Sequence, residues 1–130
     1  MAGLHFELVS PSKLLFSGDV DSVVLPGSEG EMTILPQHAP LLTALRPGVV
    51  VVASSSGAQR IFVRGGFAEV NPKGLTVLAE RAIPTAELDA ATFAQQIKDS
   101  EADLAAAKDD ESRRIAQENL DTVKGLQGAF

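Results

Sequence analysis

Two carboxylates on a glycine-bracketed loop, Glu29 and Glu31 in Gly27-Ser28-Glu29-Gly30-Glu31, are the first residues of this chain whose types and spacing suggest chemistry. General acid-base catalysis by such a pair needs two environments that push the pKa values apart. A glycine-rich exposed loop supplies neither burial nor a basic neighbour in sequence. The pair therefore reads as a solvated turn, or as acids that meet basic groups of a protein partner. The same loop is no phosphate cradle, because it lacks the spacing and the closing Lys-Ser/Thr, and an acid occupies its centre. His38 is bracketed by Pro36 and Pro40, only His5 is available as a second imidazole, and the chain has no Cys, so metal-ligand spacing is absent. A packed or backbone-bonded corner residue is the expectation for His38. Ser54 to Ser56 lack a Gly-x-Ser-x-Gly elbow and read as a turn. No residue takes a catalytic or metal-binding role, and no cofactor is called for.

The elements that position these residues fall into two kinds. Up to about residue 83 the pattern is that of short strands and turns. Leu4, Phe6 and Leu8 alternate with His5 and Glu7, the period-two signature of a strand with one buried face. Lys13 to Phe16 and Val20 to Leu25 read as two further strands separated by Ser17-Gly18-Asp19. Arg46-Pro47-Gly48 opens the run Val49 to Val52, whose β-branched side chains favour extended structure and whose lack of alternation predicts cover on both faces. Ser54 to Gly57 closes a hairpin onto Arg60 to Arg64, Gly65-Gly66 marks a bulge or kink, and Phe67 to Val70 alternates again. Asn71-Pro72-Lys73-Gly74 fits a turn before the last strand, Leu75 to Ala79. Strands recurring every eight to twelve residues indicate a sandwich or barrel.

At Pro84 the character changes. Between Thr85 and Lys124 there is neither Pro nor Gly, and apolar residues fall at helical spacing. Phe93, Ile97 and Leu104, with Ala90, Ala94 and Ala105 on the same side, form a narrow stripe on one helix. Ala116, Leu120 and Val123 form the seam of a second, whose start Asp110 or Ser112 is placed to cap. The two join near Lys108-Asp109-Asp110. Domain boundaries at 1–84 and 85–130 follow. Beyond Pro84 ten acidic residues face five basic ones, so this part carries nearly all of the net charge of −6.

That charge, with Phe as the only aromatic type, argues against nucleic acid as a partner, which needs a basic face and aromatic platforms. The start of the chain shows no signal-peptide pattern, so the chain is expected to stay where it is made. Its longest purely aliphatic run, Val49 to Ala53, is far short of the roughly 20 residues of a membrane helix. Membrane association is expected only through partners.

Several stretches in order, Phe16-Ser17-Gly18, Leu25-Pro26-Gly27-Ser28-Glu29-Gly30-Glu31, Ile34-Leu35-Pro36, His38-Ala39-Pro40-Leu41-Leu42-Thr43, Pro47-Gly48, Gly65-Gly66-Phe67 and Val77-Leu78-Ala79, resemble the epsilon subunit of rotary, proton-translocating ATP synthases. The resemblance implies a ten-stranded β-sandwich followed by an antiparallel two-helix hairpin. It also implies a non-catalytic rotor subunit at the cytoplasmic face of the bacterial inner membrane, a peripheral member of the central stalk that couples the gamma subunit to the c ring. Ring contact is carried to Ser28, Glu29, Gly30 and Glu31, and gamma contact to His38, Leu42 and Thr43. Transient contact of the helices with the alpha and beta subunits is implied as well. Some bacterial relatives bind ATP through an Ile/Leu-Asp-x-x-Arg-Ala motif. Here Leu88-Asp89 matches its opening, Thr92 and Phe93 replace Arg-Ala, and Arg113 and Arg114 are the remaining cations, so at most weak nucleotide contact and a modest effect on ATP hydrolysis are expected. Thr33 and Gln37 stand where the family commonly has Gly, and neither is expected to need a positive φ. Two other readings are a nucleotide-sensing inhibitor acting through the helices and an unrelated β-sandwich binding module.

Overall fold

The computed structural model describes residues 3–87 and 89–126. The chain divides into two compact units, Met1–Pro84 and Thr85–Phe130.

The first unit is a ten-stranded sandwich: β1 (Leu4–Ser10), β2 (Lys13–Val20), β3 (Ser22–Gly27), β4 (Gly30–Ile34), β5 (Leu41–Leu45), β6 (Gly48–Ser54), β7 (Gly57–Val63), β8 (Gly66–Asn71), β9 (Gly74–Ala79) and β10 (Ala82–Pro84). The strand order is β10-β7-β6-β3-β5-β8-β9-β1-β2, with β4 on the second side of β3. All pairings are antiparallel except β1 with β9, where Phe6 to Val9 run alongside Leu75 to Leu78. Alternation does its work as expected in β1, where Leu4, Phe6 and Leu8 join Val23, Leu25, Ile34, Val50, Val70 and Val77 in one core. Removing such side chains from water, at about 25 cal/mol per Å² of apolar area, is what holds the sandwich closed.

Two local expectations are corrected. Ser17-Gly18-Asp19 does not break a strand: β2 continues to Val20, because Glu7, Phe6 and His5 of β1 pair with those three residues and override their turn preference. The chain turns at Asp21 instead. The valine run is fully buried on one face only. Val50 and Val52 are in the core, while Val49 and Val51 are half-buried, since β6 lies between β3 and β7 with one side inward. Gly66, which opens β8, has φ +131, and a Cβ there would lie 2.1 Å from the carbonyl oxygen of Leu78. Only glycine fits this approach.

The second unit holds a 3₁₀ turn, Thr85–Glu87, and helices α1 (Ala90–Ala106) and α2 (Asp110–Leu126), which pack on each other. Asp89 caps α1, its Oδ1 accepting from the Thr92 amide at 2.8 Å. The cap of α2 is Asp109, accepting from the Ser112 amide at 2.7 Å, rather than Asp110 or Ser112, which fall in the first turn. The buried residues of α1 are Phe93, Gln96 and Ser100; Ala90, Ala94 and Ala105 are exposed. Two polar residues thus share burial with Phe93, while Ile97 and Leu104 of the expected stripe are only half-buried. Gln96 Oε1 and Ser100 Oγ have no hydrogen-bond partner among the described residues. On α2, Leu120 and Val123 are buried.

Candidate functional site

The loop that carries Glu29 and Glu31 is the tip of the β3–β4 hairpin. Gly27 pairs with Gly30, so Ser28 and Glu29 form a two-residue turn, and Gly30 takes φ +129 to close it. The Ser28 amide donates to the Ala44 carbonyl at 2.9 Å and the Arg46 amide to that of Pro26 at 2.8 Å, which ties the base of the hairpin to β5. The tip is therefore held firmly while Glu29, Gly30 and Glu31 stay exposed. Neither carboxylate has an ion-pair partner among the described residues. Two charges kept in water on a fixed turn have nothing to do internally and suit contact with a polar partner surface.

His38 follows a tight corner. Its amide donates to the Leu35 carbonyl at 3.1 Å, Pro36 takes the second position and Gln37 the third with φ 68, the pattern of a type II turn, which favours Gly at that point. Gln37 thus does adopt a positive φ, contrary to expectation. His38 Nδ1 donates to the Ala39 carbonyl at 2.7 Å, which fixes the ring against its own backbone, as expected of a corner residue. Leu42 is 71% exposed on β5. Thr43, next to it, points to the other face, is half-buried and donates to the Ala44 carbonyl. The strand's alternation separates Leu42 from Thr43, so the proposed gamma contacts do not form one patch.

The registers instead assemble a larger surface that motif reading misses. On the face of β5, β8, β9, β1 and β2 turned away from the core, Ala44 lies beside Phe67, Phe67 beside Leu78, Leu78 beside Val9 and Val9 beside Leu14. Phe67, Leu78 and Leu14 are 57%, 55% and 57% exposed. A groove of about 290 Å³ runs beside Phe67 and Leu78, bounded by Val9, Pro11 and Glu80. The next row is polar apart from its first member: Leu42, Glu69, Thr76, Glu7 and Ser17. The signal was present in the alternation, since placing Ala68, Val70 and Val77 inside requires Phe67, Glu69 and Leu78 outside.

Beside Glu7 lies a charged cluster. His5 Nδ1 is 3.1 Å from Asp19 Oδ1, and its Nε2 is 3.4 Å from Glu7 Oε2, which also accepts from Ser17 Oγ at 3.4 Å. The hydrogen bond to Asp19, then that to Glu7, raises the imidazole above its ordinary pKa by favouring the charged ring.

The residues expected at a nucleotide are not brought together. Leu88 lies outside the described residues. The Asp89 carboxylate is committed to its cap, and the Thr92 amide holds it below the usual carboxyl range. Arg113 pairs with Asp110 at 3.2 Å, and Arg114 with Glu118 at 2.9 Å and Glu111 at 3.8 Å. At 1.5 Å per residue the two packed helices separate Asp89 from the arginines by roughly 20 Å along the hairpin.

No helix among the described residues is long and apolar enough to cross a membrane. Residues 3–85 match the family model described as ATP synthase, Delta/Epsilon chain, beta-sandwich domain. The chain is 54% identical over 125 residues to the ATP synthase epsilon chain of Parvibaculum lavamentivorans, covering 95% of each. It is 48% identical to that of Mesorhizobium japonicum, covering 96% of this chain and 93% of the relative. A chain of the Euglena gracilis mitochondrial ATP synthase, in a structure of OSCP/F1/c-ring, superposes with TM-score 0.73 at 25% identity over 99% of this chain and 82% of that one. A second, of the Tetrahymena thermophila mitochondrial ATP synthase central stalk/c-ring, gives 0.72 at 16% identity over 99% and 98% and shares the fold. With its sandwich matched almost end to end and epsilon chains aligned over nearly its whole length, the chain belongs to the ATP synthase epsilon chains, non-catalytic subunits of that complex.

Proposed function

We propose that the chain acts as a rotor subunit of the central stalk, joining the gamma subunit to the c ring at the cytoplasmic face of the bacterial inner membrane while protons drive ATP synthesis. The cross-strand row Ala44, Phe67, Leu78, Val9 and Leu14 carries this reading. Five strands contribute to it, four of its five members are exposed and Val9 is half-buried, and an apolar row of this extent suits a protein partner better than water. Gamma is assigned to this face, with Leu42 at its margin and His38 at the neighbouring corner. Thr43, turned to the other face, supports the backbone there. The ring is assigned to the hairpin tip of Ser28, Glu29, Gly30 and Glu31, where rotation requires a contact that transmits torque without burying the acids deeply.

Regulation by the hairpin is assigned a small part. Arg113 and Arg114 are engaged by acids of their own helix, and the strongly acidic helices would meet like charge at an acidic segment of the alpha and beta subunits. The test is reconstitution with gamma and the c ring. Glu31→Lys is expected to leave the melting temperature unchanged and to weaken ring attachment, whereas Phe67→Ser weakens gamma binding. Failure of the wild-type chain to bind gamma overturns the assignment.

A further inference from the structure

His5 stands where the docking face changes character. It belongs to the same strand as Glu7 and Val9, and between it and the apolar row lies the row holding Glu7 and Glu69. Each of its nitrogens faces a carboxylate oxygen, Asp19 at 3.1 Å and Glu7 at 3.4 Å. Neutral imidazole carries one N–H, so only the imidazolium donates to both acids at once. Among the described residues, the groups that face His5 from neighbouring elements are few. Asp19 and Ser17 come from β2, and β9 presents no titratable side chain. The β8–β9 turn brings Lys73 and the Pro36–His38 corner brings His38, both sharing with His5 a cavity of about 310 Å³.

We propose that the His5–Asp19–Glu7 cluster is a proton-operated latch on the gamma-docking face: protonated, it withholds Glu7 from the partner, and on losing its proton it releases that carboxylate to a basic side chain of gamma. The inference rests on the stalk reading above. A partner that covers the apolar row brings its surface against Glu69 and Glu7, and carboxylates facing a partner without counter-charges are costly. The partner surface must therefore place Lys or Arg there. While His5 is charged, the cluster carries one net negative charge and Glu7 already has a partner. When the ring is neutral the cluster carries two, and Glu7 or Asp19 is left without an N–H. Affinity thus rises with pH through the titration of His5, which its two acids move upward from the ordinary imidazole value. One exposed ion pair gained at an interface rim changes the dissociation constant about two- to fivefold.

The experiment measures the dissociation constant of the full chain for purified gamma between about pH 6 and pH 8.5 at two salt concentrations, with His5→Gln, Asp19→Asn and His38→Gln beside the wild type and melting curves to confirm folding. The expected result is tighter binding at high pH in the wild type, with the dependence weakened by salt. His5→Gln should bind as the wild type does at high pH and lose the dependence. Asp19→Asn should retain it with a midpoint at lower pH, and His38→Gln should retain it whatever its affinity. A flat wild-type profile, or a dependence that survives His5→Gln, overturns the latch while leaving the stalk reading in place. Absence of gamma binding at every pH overturns the stalk reading itself.

Discussion

Gln37 occupies a backbone conformation that suits a different residue, and replacing it tests how the corner is built. Its φ of 68 lies in the left-handed region, at the third position of a turn closed by the 3.1 Å bond from the His38 amide to Leu35. For an L-residue that region costs about 1–2 kcal/mol. Glycine removes the penalty but loses about 0.5–1 kcal/mol through its greater backbone freedom in the unfolded chain. The balance for Gln37→Gly is a stabilisation of about 0.5–1 kcal/mol, which raises Tm by roughly 2–4 °C for a chain of this size. The Gln37 side chain makes no hydrogen bond among the described residues that the change would sacrifice. Gln37→Ala keeps the left-handed penalty and should be nearly neutral, whereas Gln37→Val adds a β-branch and should lose about 1 kcal/mol or more. Urea and thermal unfolding of the four proteins would give the order Gly, then Gln with Ala, then Val. A glycine variant no more stable than alanine, or a valine variant as stable as the wild type, would refute the claim that φ at this position controls the corner.

Leu25→Ala, at a fully buried site, should cost about 2–5 kcal/mol, and Val51→Ala, on the half-buried face of β6, clearly less, with denaturant midpoints separating the two. Asp89→Ala and Asp109→Ala should each lower helicity by circular dichroism. Because both carboxyls are held below their usual range by the Thr92 and Ser112 amides, the stabilisation they give is present above the ordinary carboxyl pKa and is lost as pH falls through the depressed folded value, so wild type and variants should converge in acid. Residues 1–84 alone should fold cooperatively and bind gamma; a molten fragment by NMR would contradict the boundary at Pro84. Deleting 85–130 should change ATPase activity of the assembled enzyme only slightly, and many-fold activation would show the hairpin to be a strong inhibitor.

Which parts of this fold could be read in advance depended on whether the cause was local. Alternation in Leu4 to Leu8, the Ser54–Gly57 turn and the Asn71–Gly74 turn determine their own structure, and β1, the β6–β7 hairpin and the β8–β9 hairpin follow. Ser17-Gly18-Asp19 misled because its strand character comes from a partner strand. Gln96 and Ser100 were invisible to hydrophobic spacing because polarity says nothing of burial when neighbours enclose a side chain. The exposed tip at Glu29 and Glu31 was legible, since turn chemistry placed it. Alternation gave the outward direction of Phe67 and Leu78, but not the apolar row itself, which exists only once five strands are in register, each contributing one member.

The parallel pairing of β1 with β9 sets a timetable for synthesis. Phe6 to Val9 find their partners at Leu75 to Leu78, so once β1 and β2 have been synthesised the second edge of β1 still has nothing to pair with. The β1–β2 hairpin can form early, but it waits as an open-edged, apolar ribbon until nearly the whole sandwich has been translated, and bringing such distant segments together is slow. The hairpin helices come last and close locally. A nascent chain released before residue 79 would therefore expose the free edge of β1, the kind of edge that invites pairing with another chain.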